Sequence, residues 1–459
     1  MSVLRRAHGT TAWSPRSTSA DPIGDPFPVG FVAPFLHRAI AAMAVAVLAV
    51  RVSFGPDLTP GLFVSVLLLP VWLPCLKRFW GARLLVGGLV CALASGYLLA
   101  TLASGHQILS NAQLNTTVLI LTLIGGIGVV LWSRTYLSSG QVGCSFGAGL
   151  IGNALIGGSS DLAAGNPLKF VWAIPVTVSV LAVAAATRSR VLDLSILLLL
   201  CAALTVVDAR ALFAVCFLSL IVVGWQLRRR RTSRRTAWVM TAVLISGLAF
   251  AIYQLSTALV LDGVLGADAQ ARSVAQIEAS GSLLLGGRPE LGATIALMGH
   301  RPLGFGSGVV ADGGDIAAGK AGMASVGYDP NNGYVDHFMF GGKVELHSVF
   351  GDLWASFGVV GLLVAVLVGL LTILGIAGRI AQRTASALQL VLGFYALWNI
   401  LFSPIFGSTP LLVITLGLLL TVRTTTTSTP GSQSTPDATK PPAANGRARP
   451  LRPVAGAAR

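Results

Sequence analysis

The sequence is poor in charged residues, which make up 11% of its 459 positions. A soluble domain of this length usually carries about 25% charged residues. Hydrophobic residues reach 54%, and they come in long blocks, as a bilayer core of about 30 Å requires of the helices that cross it. Lipid offers no partner for an unpaired backbone amide, so such blocks must be helical. The composition therefore excludes a soluble protein and predicts an all-α integral membrane protein.

Cysteine is also scarce, and the chain has only five. All of them lie in apolar blocks, which excludes a disulfide framework in the polar segments. The six histidines are scattered along the chain, and no phosphate-binding glycine loop or dinucleotide fingerprint is present. We therefore expect no metal site and no cofactor.

The apolar blocks predict about twelve transmembrane helices, nine before and three after a long polar segment. They occupy 37–55, 61–76, 84–103, 116–132, 141–158, 170–187, 191–207, 211–227, 237–257, 348–374, 385–402 and 405–422. The predicted organisation is a disordered tail (1–36), nine helices (37–257), a large external loop (258–347), three helices (348–422) and a second disordered tail (423–459). The short polar turn around Asp208 separates two helices, because one helix spanning 191–227 would far exceed the bilayer.

Basic residues predict the orientation of these helices. Of the 32 Lys and Arg residues, 24 fall on the side of the N-terminus under this map and eight on the opposite side. The positive-inside rule then places both termini in the cytoplasm of a multi-pass protein of the cell membrane. The net charge of +15 is thus explained by topology, and we expect the lipid bilayer, not a nucleic acid, as the partner of the basic runs.

The predicted external loop is the segment where chemistry could take place, because long loops in ordered proteins are usually functional or disordered. Residues 288–301 have the periodicity of a helix. Gly304 and Gly306 follow it in a glycine-rich run, which could expose backbone amides to a ligand. The Gly- and Asp-rich stretch 309–343, which includes Lys320, is predicted to be mobile.

Two residues at the ends of predicted helices are candidates for function. His347 lies where the loop enters the membrane, and a neutral imidazole there could act as a general base. Arg210 lies beside Asp208 in a turn at the external surface, where an arginine is costly and often functional. Each has a simpler interpretation: His347 could be a capping or solvated side chain, and Arg210 could snorkel while paired to Asp208. Arg288 could likewise be a surface charge.

Several motifs occur in an order that resembles the O-antigen ligase and Wzy-type polymerase superfamily. Asp208-Ala209-Arg210-Ala211 is similar to that family's Ser-Arg-Gly turn, and Gly165-Asn166-Pro167 to an external Asn-Pro motif. The family's loop motif is an arginine, a helix and a Pro-Leu-Gly-x-Gly run. It resembles Arg288, the predicted helix and Arg301-Pro302-Leu303-Gly304-Phe305-Gly306. His347-Ser348-Val349-Phe350, followed by Phe357-Gly358-Val359-Val360-Gly361-Leu362-Leu363, resembles its His-Asn-x-Phe segment and the glycine-leucine run that follows. The resemblance covers roughly 160–375.

The resemblance implies a twelve-helix bundle of the membrane glycosyltransferase C type, with its large loop between helices 9 and 10. The implied substrate is a saccharide on polyprenyl pyrophosphate, transferred with inversion and without a metal to a glycan, lipid or protein acceptor. Arg210 and Arg288 would then stabilise the leaving pyrophosphate, and His347 would deprotonate the acceptor hydroxyl. Asp208, Arg301, Gly304, Gly306 and Lys320 are further candidates for substrate contacts.

Two other classes of function stay open at this point. A secondary transporter fits twelve helices with cytoplasmic termini, although the predicted long loop follows the ninth helix and not the sixth, where two equal halves would meet. A lipid-linked-glycan flippase would bind the same substrate and leave it intact. Within the enzyme interpretation, a ligase and a polymerase of surface polysaccharide are not separated by these motifs.

Overall fold

The computed structural model describes residues 34–52, 54, 58–157, 165–207, 209–227 and 288–423, together with positions 271, 274, 277 and 278. In this part of the chain the all-α prediction is confirmed: it contains helices and three isolated β-bridges, and no named strand. The predicted span 237–257, Asp208, the loop before residue 288 apart from those four positions, and most of both tails lie outside the described residues.

The described residues form fourteen α-helices, numbered in chain order. They are α1 (Pro34–Leu48), α2 (Pro60–Leu67), α3 (Leu69–Cys75), α4 (Ala82–Leu102), α5 (Ser110–Ser133), α6 (Ser139–Ile156), α7 (Ala173–Thr187), α8 (Arg190–Val206), α9 (Arg210–Gln226), α10 (Glu290–His300), α11 (Gly313–Ala324), α12 (Val349–Ala381), α13 (Ala387–Phe402) and α14 (Ile405–Leu419). A 3₁₀ turn follows α3 (Leu76–Arg78), and single π-helical turns cover Leu168–Trp172 and Val335–Met339.

Several of these helices are long and apolar enough to cross a membrane. Four qualify singly, Ala82–Leu102, Ser110–Ser133, Leu168–Thr187 and Val349–Ala381, and the bent pair Pro60–Leu67 and Leu69–Arg78 gives a fifth if it is one span. Shorter apolar helices accompany them, at Phe35–Leu48, Arg210–Gln226, Ala387–Phe402 and Ile405–Leu419. The chain thus has the character of a membrane protein.

The predicted helix 61–76 is broken into α2 and α3, which are bent by 74°. The break falls at Leu68, just before Leu69 and Pro70. Pro70 has no N–H with which to continue the hydrogen bonds of α2, whereas the first turn of a helix such as α3 tolerates a proline. Trp72 stabilises the bend by donating its indole N–H to the carbonyl oxygen of Ser65 at 2.7 Å.

One end of the helix bundle gathers arginines against the carboxyl ends of other helices. Arg134 donates to the carbonyl oxygens of Gly417 and Leu420 at 2.6 and 2.8 Å. Arg379 donates to Leu418 at 2.6 Å, and Arg190 donates to the carbonyl oxygens of Arg383 and Ala385. We name this the basic end. It holds basic residues that the charge count assigned to the cytoplasmic side.

The opposite end carries the polar segment 288–347, and we name it the site end. The turn after α4 is joined to that segment, since Leu109 donates to Gly308 and Val310 donates to Gln107, both at 2.9 Å. Arg51, after α1, donates to the carbonyl oxygen of Phe406 in α14 at 2.8 Å. Most residues that the sequence suggested for function therefore lie at one end of the bundle.

Large apolar side chains cover much of the outer surface of the bundle. Leu198 and Leu199 in α8 are 64% and 70% exposed, and Leu363 in α12 is 62% exposed. So many large exposed apolar side chains are unusual in a soluble monomer. Lipid is the solvent that such a surface fits.

The segment 288–347 folds against the bundle around a small core of its own, which includes Leu297, Phe305 and Met323. The helix predicted at 288–301 is confirmed as α10. The helix α11 was not predicted. It begins with a capping box, in which Asp312 accepts from the N–H of Asp315 at 2.9 Å and Asp315 accepts from the N–H of Asp312 at 3.0 Å. Such reciprocal bonds satisfy amides that a helix start would leave open.

Candidate functional site

His347 is held in an unusual backbone conformation directly before α12. Its φ is +53°, a left-handed value that is uncommon for a residue with a side chain and needs support from its surroundings. Ser348, not His347, caps the helix by accepting from the N–H of Gly351 at 2.9 Å. The His347 ring Nδ1 lies 3.3 Å from the carbonyl oxygen of Glu345. If Nδ1 carries the proton and donates it there, Nε2 is left as a proton acceptor.

Arg288 and His347 line one depression at the site end, which is too narrow to hold a water molecule. Its other lining residues are Glu290, Leu291, Leu346, Leu401 and Phe402. The guanidinium carbon of Arg288 lies 5.7 Å from the ring centroid of Trp398 in α13, a distance at which a cation is attracted to an indole face. Two of the three residues proposed for chemistry are thus brought together, 59 positions apart in the sequence.

Glu290 and Tyr334 are part of this site and were not singled out from the sequence. The Tyr334 hydroxyl donates to Glu290 Oε1 at 2.8 Å, and the rings of Tyr334 and His347 are 5.8 Å apart. Burial, reinforced by the Glu290 carboxylate, raises the pKa of Tyr334. The second oxygen of Glu290 is buried and makes no hydrogen bond within the described residues. A buried, unsatisfied acceptor is uncommon and could receive a substrate hydroxyl.

Arg210 begins α9 and lies at the site end as well. At the other end of α9, Gln226 donates to the carbonyl oxygen of Ala385, just before α13, at 3.3 Å. The two helices pack side by side and are therefore antiparallel, which sets Arg210 at the level where α13 ends with Phe402. The Asn166 side chain reaches the carbonyl oxygen of Val207 at 3.4 Å, so the Asn-Pro motif and the arginine turn are neighbours.

The glycine-rich run uses its backbone amides for packing and does not expose them, which corrects the expectation for Gly304 and Gly306. Gly304 donates to the carbonyl oxygen of Arg301, while Phe305 and Gly306 both donate to Ala355, at 2.9 to 3.0 Å. A Cβ on Gly304 would meet the Trp354 carbonyl oxygen at 2.5 Å. These glycines let the loop lie directly on α4 and α12.

Arg301 is engaged with protein carboxylates and not directed to a ligand. Its Nε lies 2.6 Å from Oδ1 of Asp315, a side chain with no solvent exposure, and its Nη2 contacts His106 and lies 3.7 Å from Asp312. A buried carboxylate requires such a partner. We therefore replace the expectation of a phosphate contact at Arg301 with a role in holding α11 against α10 and the turn after α4.

The fold brings together three potential metal ligands, contrary to the expectation from the scattered histidines. Ligand atoms of His106, Asp312 and Asp315 all lie within 4.8 Å of one another. His106 Nε2 is 2.9 Å from Asp312, and a hydrogen bond from the backbone N–H of Asp315 holds the pKa of Asp312 below its ordinary value. Because Arg301 and His106 already contact both carboxylates, the group is explained as a network of ion pairs and hydrogen bonds.

Lys320, in α11, also has a protein partner. Its Nζ lies 2.8 Å from Oδ2 of Asp336. Both side chains are partly exposed, so the pair is a surface salt bridge of small energetic weight. The expected substrate contact at Lys320 is therefore not part of the depression that Arg288 and His347 line.

No known protein family, no curated protein and no solved structure matches the chain. The chemistry of the site end is therefore inferred from the side chains that it brings together. This end brings a cation, an imidazole and a carboxylate together around one narrow depression, with a second cation at the same level of the bundle. That set suits a reaction in which an anionic group leaves while a hydroxyl loses its proton.

Proposed function

We propose that the chain is a membrane glycosyltransferase of the O-antigen ligase and polymerase type, which assembles surface polysaccharide at the external face of the cell membrane. The observation that carries the proposal is that Arg288 and His347 lie next to the same narrow depression. The motif order in the sequence supports it, as does the position of Arg210 at the same end of the bundle. The donor is a saccharide on polyprenyl pyrophosphate, and the acceptor is a hydroxyl group of a glycan, lipid or protein.

The proposed reaction is a single inverting displacement. The acceptor oxygen attacks the anomeric carbon, the bond from that carbon to the pyrophosphate oxygen breaks, and the acceptor proton passes to His347. Arg288 and Arg210 stabilise the negative charge that gathers on the pyrophosphate. Pyrophosphate leaves without protonation, so no general acid is needed. The apolar outer surface of the bundle suits the hydrocarbon tail of the carrier.

The proposal includes a topology. We propose twelve spanning helices in a bundle of the glycosyltransferase C type, with both termini in the cytoplasm and the loop 258–347 outside. The two chemically different ends of the bundle support this orientation. Labelling an introduced cysteine at exposed Phe338 from outside intact cells tests the side assignment. Labelling only after the cells are opened would reverse it.

The activity is tested by deleting the protein and analysing glycans on the lipid carrier. We expect unused lipid-linked glycan to accumulate, and the wild-type chain to restore transfer. His347→Ala should lower transfer by about 100-fold or more at normal membrane levels, the scale for removing a group that acts in the transition state. His37→Ala is the control, since His37 stacks on Tyr136 near the opposite end of the bundle.

The two arginines are tested by charge-conserving variants. Arg288→Lys and Arg210→Lys keep the charge but lose the planar donor fork that fits phosphate oxygens, so both should stay well below wild-type transfer. If both the Lys and the Ala variant of one of these arginines keep full activity, that arginine takes no part in the mechanism. Solute uptake by the purified protein in liposomes, or movement of intact lipid-linked glycan across them, would favour the transporter or flippase instead.

A further inference from the structure

Three aromatic side chains lie next to one another beside His347 at the site end, and Tyr334 contacts both of the others. The ring centroids of Tyr328 and Tyr334 are 6.2 Å apart, and those of Tyr334 and Phe338 are 5.5 Å apart. Tyr334 in turn lies against the His347 ring at 5.8 Å. We name Tyr328, Tyr334 and Phe338 the aromatic row. It runs next to the residue that is proposed to accept a proton.

Hydrogen bonds and buried neighbouring side chains hold the aromatic row in place. Tyr334 is anchored through its hydroxyl to Glu290, and Asn332 donates its side-chain N–H to the Tyr328 hydroxyl at 2.7 Å. Val335 and Met339, in the turn between these rings, are fully buried. Phe338, by contrast, is 64% exposed. An aromatic ring that is supported on one side and open on the other can receive a ligand at little cost in conformational entropy.

Polar side chains border the aromatic row. Asp329, Asn331, Asn332 and Asp336 are all exposed, within eight residues of chain. Two acidic and two amide groups make this surface a poor one to insert into hydrocarbon, where charged and polar groups are costly. An aromatic surface with a polar border has the chemistry of a site for a ligand with both apolar and hydroxyl-bearing faces.

We propose that the aromatic row is the binding site for the acceptor, and that the acceptor in contact with it is a saccharide. The C–H groups on one face of a sugar ring carry slight positive charge and are attracted to the negative face of an aromatic ring. The hydroxyl groups at the ring edge would bond to the amide and carboxylate border. A sugar stacked on Tyr334 would direct a hydroxyl to His347 and the free oxygen of Glu290. The inference rests on the proposed function.

Binding is measured without donor, by saturation-transfer NMR on the purified full chain with cellotetraose and maltotetraose as probes. We expect Phe338→Ala to weaken binding between about threefold and tenfold, the range for losing one aromatic contact. Phe338→Tyr keeps the ring and should bind like the wild type. Leu303→Ala, another large exposed side chain of the same segment, should also leave binding unchanged. Failure of the wild type to bind either probe would overturn the inference.

Phe338→Leu separates sugar stacking from contact with lipid. Leucine keeps the apolar surface but has no ring, so it should bind sugar as weakly as the alanine variant. If Phe338→Leu behaves like the wild type while Phe338→Ala does not, the side chain contacts lipid and the inference fails.

The transfer assay distinguishes this inference from the proposed function. In it, Phe338→Ala should raise the KM for acceptor and leave kcat at saturating acceptor near the wild-type value. If Phe338→Ala transfers sugar with an unchanged KM for the acceptor, the inferred acceptor site is wrong and the proposed glycosyltransferase activity is still supported. If sugar binding depends on Phe338 but the chain has no transfer activity, the saccharide site stands and the glycosyltransferase proposal fails.

Discussion

The carboxylate of Asp352 accepts a hydrogen bond from the backbone N–H of Leu346 at 2.6 Å, directly before the strained His347. Its second oxygen accepts from the N–H of Ile405, at the start of α14, at 2.8 Å. One buried side chain thereby joins the end of the loop, the first turn of α12 and the first turn of α14. The left-handed backbone at His347 depends on such fixed neighbours.

Replacing Asp352 by Asn should therefore destabilise the site end. Asparagine offers one acceptor oxygen and one NH2 group, so one of the two backbone N–H groups would face another donor. We expect the free energy of unfolding to fall by about 1–3 kcal/mol, the cost of a buried unsatisfied group. Thermal unfolding in detergent measures it.

Asp336→Asn is the matched control for Asp352→Asn. Asp336 is 45% exposed and pairs with Lys320, so its loss should cost no more than about 1 kcal/mol. Equal melting temperatures for the two variants would contradict the structural role assigned to Asp352.

A kink in α12 gives a second prediction. Gly358 has φ +63° and ψ −148° inside the helix, a region open essentially to glycine. An added Cβ would also meet the Leu303 carbonyl oxygen at 2.4 Å. We expect Gly358→Ala to cost more than about 2 kcal/mol of unfolding free energy. Gly369→Ala, in the same helix, is the control, because its Cβ would meet nothing closer than Ile400 at 3.9 Å.

Gly369→Ala should be neutral or stabilising by about 0.5–1 kcal/mol, the helix preference of alanine over glycine. A similar loss of stability in both variants would show that the kink carries no special backbone requirement. Parallel thermal scans of the two proteins decide this.

Local signals in the sequence predicted the local structure well. The polar turn before Arg210 separated α8 from α9, and the apolar periodicity located α10. These features depend on residues that are neighbours in the sequence, so they can be predicted from a single sequence. The break at Leu68 was also encoded locally, by Pro70, but the apolar run around it concealed the signal.

Contacts between distant segments could not be predicted in the same way. His106 reaches Asp312 across 206 positions of the sequence, and Tyr334 reaches Glu290 across 44. The glycine-rich run was interpreted as a ligand loop because its packing against Ala355 is a property of the tertiary fold. The convergence of Arg288 and His347 was expected only from the order of motifs, since no spacing rule links them.

Arg301 gives a third prediction, which separates its ion-pair role from a substrate contact. Arg301→Ala would remove the guanidinium that lies 2.6 Å from buried Asp315, and breaking a buried ion pair typically costs about 3 kcal/mol. We expect a lower melting temperature and faster cleavage of the segment 288–347 by protease. Lys320→Ala is the control, since its partner Asp336 is half-exposed and should cost at most about 1 kcal/mol. A raised KM for the donor at unchanged stability would instead restore Arg301 as a substrate contact.

Tyr334 gives the last prediction, which concerns alkaline pH. An unperturbed tyrosine has a pKa of about 10, and burial beside the Glu290 carboxylate raises that of Tyr334 in the folded chain. Below about pH 10 the phenol is protonated in both the folded and the unfolded chain, so its contribution to stability is fully present. As the pH rises toward the folded pKa, the unfolded chain loses the proton first and that contribution is lost.

Tyr334→Phe should therefore be less stable than the wild type at neutral pH, by about 1 kcal/mol for one lost hydrogen bond, and the gap should narrow above about pH 10. Phenolate absorbance provides a direct check, because the wild type minus Tyr334→Phe difference isolates one of six tyrosines. That difference should titrate well above the usual value, since ionisation would set a second negative charge beside Glu290 in a buried site. A component that titrates at about pH 10 or below would mean that the Tyr334–Glu290 pair does not form.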